Sequence, residues 1–101
     1  MYRPLPSYLT IKKSKIHELG LFALENIAIG TNMGMSHIKI KETIFRTPLG
    51  GFINHANEAN CAKVELLMKN DSFDYKKWNL VAIQDIKEGD ELTVRYTFYN
   101  V

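Results

Sequence analysis

Apolar and polar residues alternate along much of the chain, as in Ile38 and Ile40 against His37, Lys39 and Lys41. A period of two places successive side chains on opposite faces of an extended backbone, which predicts half-buried β-strands. Two largely apolar runs, at residues 64–68 and 80–83, predict strands as well. The predicted strands lie at residues 9–12, 37–41, 64–68, 80–83 and 92–99.

Turn-forming residues separate these segments at short intervals. Glycine, asparagine and aspartate favour turns, and their spacing leaves little room for long helices. The predicted turns lie at residues 18–20, 29–32, 49–51, 70–72 and 87–90. Only residues 58–62 or 72–77 have room for a helical turn. The sequence therefore predicts a mostly β fold with little helix.

The length and composition fit one small domain. The 101 residues are 46% hydrophobic and 24% charged, which excludes a disordered or collagen-like chain. We expect a single domain over residues 1–101, with residues 1–7 as an extended arm. The formal net charge of +2 is far below the basic excess of proteins that bind phosphate backbones, so no nucleic-acid partner is expected.

The cysteine and histidine residues do not suggest a metal site. Cys61 is the only cysteine, which indicates a reducing compartment, and we expect it to be a small buried hydrophobe. None of His17, His37 and His55 has the paired spacing of metal ligands. No segment approaches the roughly 18 apolar residues that span a bilayer, so we expect an intracellular, cytoplasmic protein with no membrane partner.

Three segments share an order and spacing that carry more information than each segment does alone. The first is SKIHELGLFA at residues 14–23, the second is GFINHANEAN at 51–60, and the third is DIKEGDELTVRY at 85–96. Together they resemble the motifs of the SET domain family. In that family the motifs are a Gly-x-Gly-[Leu/Val]-[Phe/Tyr]-Ala turn, Phe-[Ile/Leu]-Asn-His-Ser-Cys-x-Pro-Asn, and Asp-Ile-x-x-Gly-Glu-Glu-Leu-Thr-x-x-Tyr.

The chain departs from these motifs at a few positions. The differences are Glu18 for the first glycine, Ala56 and Asn57 for Ser-Cys, Ala59 for proline, and Asp90 for the first glutamate. The insert region around residues 41–50 is very short, and no cysteine-rich segment is expected after the third motif. In these respects the chain is most similar to small stand-alone SET proteins of viruses and bacteria, which for a virus implies the host cytoplasm.

The resemblance implies a fold and an activity. The fold is β-clip-like, with several small curled sheets and a C-terminal pseudoknot in which the second motif lies beneath the third. The activity is transfer of a methyl group from S-adenosyl-L-methionine to a lysine amine of a protein substrate, with S-adenosyl-L-homocysteine as product. The alternative is a non-catalytic protein-binding module, since a fold does not fix a function.

The shortened insert also bears on partners. It implies an incomplete substrate groove, so we expect a homodimer or the substrate protein to supply the missing wall.

The resemblance also implies roles for individual residues. Tyr96 is the predicted catalytic residue, whose hydroxyl would orient the amine; an ordinary core tyrosine is the alternative. Phe98 and Tyr99 either line the substrate channel, cover the adenine of the cofactor, or serve as simple packing. Glu91 either ties the third motif to the second or is an exposed turn carboxylate. The predicted cofactor-binding residues are Gly20, Leu21, Phe22, Asn54, His55 and Tyr96.

Overall fold

The computed structural model describes residues 5–69 and 74–95. Within these residues the chain forms eight strands and one five-residue helix. In chain order the elements are β1 (Leu9–Lys13), β2 (Leu19–Ala23), β3 (Asn32–Ile40), β4 (Thr43–Arg46), α1 (Pro48–Phe52), β5 (Asn54–His55), β6 (Cys61–Lys69), β7 (Asp74–Ala82) and β8 (Glu91–Val94). The prediction of a mostly β fold is confirmed.

The strands follow one another in the order β1-β2-β8-β6-β7-β3-β4, with β5 beside β8. Neighbouring strands are antiparallel, except that β8 runs parallel to β5 and to the start of β6. In the β5–β8 pair, Asn54 lies opposite Thr93 and His55 lies opposite Val94. The second motif is therefore held alongside the third, as the predicted topology requires.

One hydrophobic core takes residues from most strands and from α1. Its buried members are Leu9, Leu21, Ala23, Ile27, Met33, Leu49, Ile53, Cys61, Leu80, Ala82, Ile86, Leu92 and Val94. Cys61 is 1% exposed, which confirms the predicted buried hydrophobe. Its burial raises the pKa of the thiol to about 12, so the sulfur stays protonated and unreactive at neutral pH.

The first residues of the described chain contact the core. Leu5 packs against it, and the Pro6 carbonyl accepts a 3.1 Å hydrogen bond from the Leu9 amide. The arm predicted over residues 1–7 lies partly outside the described residues and stays a prediction.

The strand around Ile38 is present, but its faces are not those that alternation alone predicts. His37 is 1% exposed, whereas Ile38 and Ile40 are only half-buried. The register between β3 and β7 shifts between Met35 and His37. Such a β-bulge changes the face to which the following side chains point, so the polar His37 enters the interior and the isoleucines lie on the outer face.

The predicted positions of the helical turn are wrong within the described residues. Residues 58–60 form a turn and a bend that lead into β6, and residues 74–77 belong to β7. Residues 61, 62 and 74–77, for which a helical turn was considered, instead pair in the β6–β7 ladder. Residues 72 and 73 lie outside the described part of the chain.

The helix forms instead where a turn was predicted, at α1. The Thr47 side chain caps its start by accepting a hydrogen bond from the Gly50 amide, and Pro48 occupies its first turn. The Thr47 hydroxyl also donates to the Met35 carbonyl at 2.6 Å, which fixes the helix to β3. Within the described part of the chain, no helix has the length and apolar character needed to cross a membrane.

Candidate functional site

The side chain of Asn54 lies where the three motifs meet. It is 8% exposed and is placed by the short parallel pairing of β5 with β8. Its amide nitrogen lies within hydrogen-bond distance of four acceptors from the first and third motifs. These are Ser14 Oγ at 3.2 Å, the His17 carbonyl at 3.3 Å, the Leu19 carbonyl at 3.1 Å and Glu91 Oε2 at 2.8 Å.

An amide nitrogen carries only two hydrogens, so the four acceptors exceed what Asn54 can satisfy at once. The two shortest contacts are those to Glu91 and to the Leu19 carbonyl. The amide oxygen, Asn54 Oδ1, accepts no hydrogen bond from any described residue. The site therefore presents an excess of acceptor oxygens, which suits a ligand that brings N–H donors and positive charge.

Ser14 links the first motif to the third. Its hydroxyl lies 2.8 and 2.9 Å from the two carboxylate oxygens of Glu91, across 77 positions of the chain. Ser14 Oγ also accepts a 2.9 Å hydrogen bond from the Ile16 amide, which closes the loop between β1 and β2. Glu91 thus receives hydrogen bonds from both other motifs, and the interpretation of Glu91 as a tie between motifs is confirmed.

Gly20 allows the Glu91 carboxylate to approach the backbone of β2. A Cβ atom at Gly20 would overlap Glu91 Oε2 and would lie 3.0 Å from Asn54 Nδ2. Any side chain at this position would displace both groups. The glycine is therefore required by this close approach.

Glu18 has an unusual backbone conformation. Its φ is +25°, on the left-handed side where glycine is favoured, and it occupies the position of the family's first glycine. The side chain is exposed, with Oε2 3.9 Å from His17 Nε2. The loop thus keeps a conformation typical of glycine although the glycine is absent.

The other predicted cofactor residues lie at the margin of this cluster. The side chain of Leu21 is fully buried in the core, so only its backbone is available to a ligand. Phe22 is half-buried, and the Lys12 ammonium lies 5.3 Å from its ring centre. His55 is half-buried, with Nε2 3.3 Å from Asn57 Oδ1. The structure therefore gathers Gly20 and Asn54 around Glu91 and places Phe22 opposite Glu91 in the β2–β8 pair. The Leu21 side chain lies in the core, and His55 lies opposite Val94.

The predicted catalytic and channel residues, Tyr96, Phe98 and Tyr99, lie outside the described residues. Their roles stay predictions. Arg95 immediately precedes them and is exposed.

Two residues of the cluster were given no role by the sequence. Ser14 carries no local signal beyond a hydroxyl before a loop, because its main partner is distant in the chain. Asn60, the last residue of the second motif, donates from its amide to the Glu91 carbonyl at 2.9 Å and accepts from the Thr93 amide at 2.8 Å. Asn60 therefore clips the second motif to the backbone of β8.

No metal centre accompanies this cluster. Across residues 5–69 and 74–95, no group of three or more His, Cys, Asp or Glu side chains is arranged to hold a metal ion.

Comparisons with known proteins extend the likeness beyond the motifs. The profile of the SET domain family matches residues 35–97, which is more than half of the chain. No curated protein matches the sequence significantly.

Solved structures show the same fold. A candidate histone methyltransferase from Plasmodium falciparum is 18% identical, with a TM-score of 0.72, over 89% of this chain and 97% of that one. Polycomb Repressive Complex 2 from Chaetomium thermophilum, in an autoinhibited conformation bound to S-adenosylmethionine, is 22% identical with a TM-score of 0.64. That match covers 88% of this chain but only 15% of the larger one.

The fold, the meeting of the three motifs around Asn54 and Glu91, and the family profile agree with one another. The chain belongs to the SET domain family.

Proposed function

We propose that the protein is an S-adenosyl-L-methionine-dependent protein-lysine N-methyltransferase. The observation that carries the proposal is the cluster of acceptors around Asn54, with Asn54 Oδ1 left without a partner among the described residues. Family membership and a neighbour solved with S-adenosylmethionine support the same conclusion.

The residues of the cluster fit the amino-acid end of the cofactor. An ammonium group needs acceptors, and Asn54 Oδ1 together with the His17 and Leu19 carbonyls supplies them. Glu91 adds a negative charge beside this position, which favours a cationic ligand. Gly20 presents no side chain that would occupy the space.

The bound cofactor would supply a methyl group on a sulfonium. The chain must then bring in a neutral lysine amine, although free lysine is protonated at pH 7. Deprotonating it costs on the order of 4 to 5 kcal/mol, which a dehydrated channel and a nearby positive charge reduce. Tyr96 is proposed to hold the amine in line through its hydroxyl, with Phe98 and Tyr99 lining the channel.

The partner is proposed to be a protein that presents a lysine in a tail or loop. The viral or bacterial source, the cytoplasmic location and the homodimer stay predictions.

Transfer of label from tritiated S-adenosylmethionine tests the activity, with core histones and a cell lysate as protein probes. Wild-type protein is expected to label at least one protein, and Tyr96→Phe is expected to lower that rate by about 100-fold or more, because an oriented hydroxyl contributes on this scale. Tyr75→Phe, a half-buried tyrosine of β7, is the matched control and should retain the rate. No labelled protein together with no affinity for the cofactor would favour the non-catalytic module instead.

A further inference from the structure

Among the described residues, strand β6 has no strand partner on one side over residues 64–69. It pairs with β7 from Cys61 to Lys69, but on its other side it meets β8 only at Cys61. Within the described residues, the outer edge from Val64 to Lys69 has no strand partner. Leu67 is 58% exposed at the middle of this edge. An exposed apolar edge strand is a template for pairing with another chain.

The hydrogen-bond pattern shows which residues of β6 present free backbone groups. The Asn60 carbonyl accepts a 2.9 Å hydrogen bond from the Ile83 amide, just before the strand begins. In an antiparallel ladder the bonded residues alternate, so the even-numbered residues of β6 bond to β7. Glu65, Leu67 and Lys69 therefore direct their N–H and C=O groups toward the open edge.

We propose that a second copy of this chain pairs with β6 in antiparallel orientation, with the two-fold axis at Leu67. This register places Leu67 opposite its own counterpart, and it places Glu65 of each copy opposite Lys69 of the other. Both pairs use residues whose backbone groups face outward, so the strands can form bonded pairs at all three positions.

Charge selects this register over its neighbours. Because odd-numbered residues face each other, the register can shift only in steps of two residues. The shifted registers place Glu65 opposite Glu65 or Leu67, or they place Lys69 opposite Leu67 or Lys69. Among pairings confined to residues 64–69, the one centred on Leu67 alone matches both charges with opposite charges. Neither Glu65 nor Lys69 forms an ion pair within residues 5–69 and 74–95, and both side chains are exposed.

The same strand pairing also brings apolar side chains of the two copies together on the outer face of the sheet. Leu66 would lie opposite Met68 of the second copy, which brings together two side chains that alternate with the charged row. Each opposite-charge or apolar cross-strand pair contributes roughly 0.2 to 1 kcal/mol. One short strand pair buries less than the roughly 1,200 Å² of a stable interface, so the dimer is expected to depend on concentration.

Sedimentation equilibrium of the full chain across the micromolar range tests this dimer. Wild-type protein should change from monomer to dimer with concentration. Glu65→Lys alone and Lys69→Glu alone should each weaken association at least about tenfold, because each turns two attractive pairs into repulsive ones. The two single variants mixed together should associate again, and so should the double variant Glu65→Lys/Lys69→Glu.

Glu58→Lys is the matched control, since Glu58 is an exposed glutamate outside β6. It should dimerise like the wild type. Circular dichroism of each exposed-site variant confirms that the fold is retained. A wild-type protein that stays monomeric throughout, or single variants that dimerise normally, would overturn the proposal, whether the edge is then empty or holds a different protein segment.

Discussion

The Asn54 amide donates a 2.8 Å hydrogen bond to the Glu91 carboxylate, across 37 positions of the chain. This contact joins the second motif to the third, and the Ser14 hydroxyl adds the first motif to the same carboxylate. Three segments that are distant in sequence thus converge on one acidic group. The proposed cofactor site depends on that convergence.

Replacement of the shared acceptor should weaken the fold. Glu91→Gln removes the charge that strengthens the hydrogen bonds from Ser14 and Asn54 and places an N–H₂ group among donors. We expect the free energy of unfolding to fall by about 1 to 3 kcal/mol, measured by urea denaturation. Glu88→Gln changes an exposed glutamate of the adjacent turn and should alter stability by no more than about 0.5 kcal/mol. Equal effects of the two changes would show that Glu91 is not a structural tie.

A methyl group at Gly20 should push apart the side chains of Glu91 and Asn54. Gly20→Ala places a Cβ atom against Glu91 Oε2 and Asn54 Nδ2, so we expect a loss of about 1 to 3 kcal/mol of stability. Gly51→Ala is the control, because a Cβ atom there meets nothing within 4 Å and alanine favours the helix α1. It should be neutral or stabilising in thermal denaturation. A Gly20→Ala protein as stable as the wild type would argue against the close approach.

Replacement of Glu18 by glycine should stabilise the protein. Glu18→Gly relieves a positive φ at a non-glycine residue, and the expected net gain is about 0.5 to 1 kcal/mol after the entropy cost of glycine. Lys15→Gly, in the same loop and without a positive φ, should instead be neutral or destabilising. Differential scanning calorimetry of both variants compares them directly. A destabilised Glu18→Gly protein would mean that the Glu18 side chain stabilises the loop more than its torsion costs.

The buried histidine predicts a pH dependence. Burial lowers the pKa of His37 to about 4, with smaller effects from the charges of Lys63 and Arg46. The unfolded chain binds this proton near pH 6.5 and the folded chain only near pH 4, so stability is fully present above pH 6.5 and is lost as the pH falls toward 4. The loss from this group reaches about 3 kcal/mol.

Urea denaturation between pH 4 and 7 measures this dependence. His37→Gln removes the titrating group and should flatten the slope, even where it lowers stability overall. His17→Gln changes an exposed histidine and should leave the slope as in the wild type. An unchanged slope in His37→Gln would assign the acid sensitivity to other groups.

The sequence predicted those features that local pattern controls. Alternation located most strands, and the motif likeness correctly placed Asn54 beside the third motif. The helix α1 was missed because Gly50 and Gly51 favour a turn, whereas the contacts of Thr47 with β3 supply the stabilisation. His37 was placed on the wrong face because a β-bulge has no clear sequence signal. The role of Ser14 depends on a partner at the other end of the chain, which no local pattern reveals.

Isothermal titration calorimetry with S-adenosylmethionine tests the proposed cofactor site most directly. The wild-type protein should bind, and Asn54→Ala should weaken binding at least about tenfold, which corresponds to the loss of one hydrogen-bond acceptor for a charged group. Asn57→Ala, an exposed asparagine three residues away, should bind like the wild type, and melting curves verify that each variant is folded. Wild-type protein that does not bind at millimolar cofactor, or binding that a folded Asn54→Ala protein retains in full, would contradict the account.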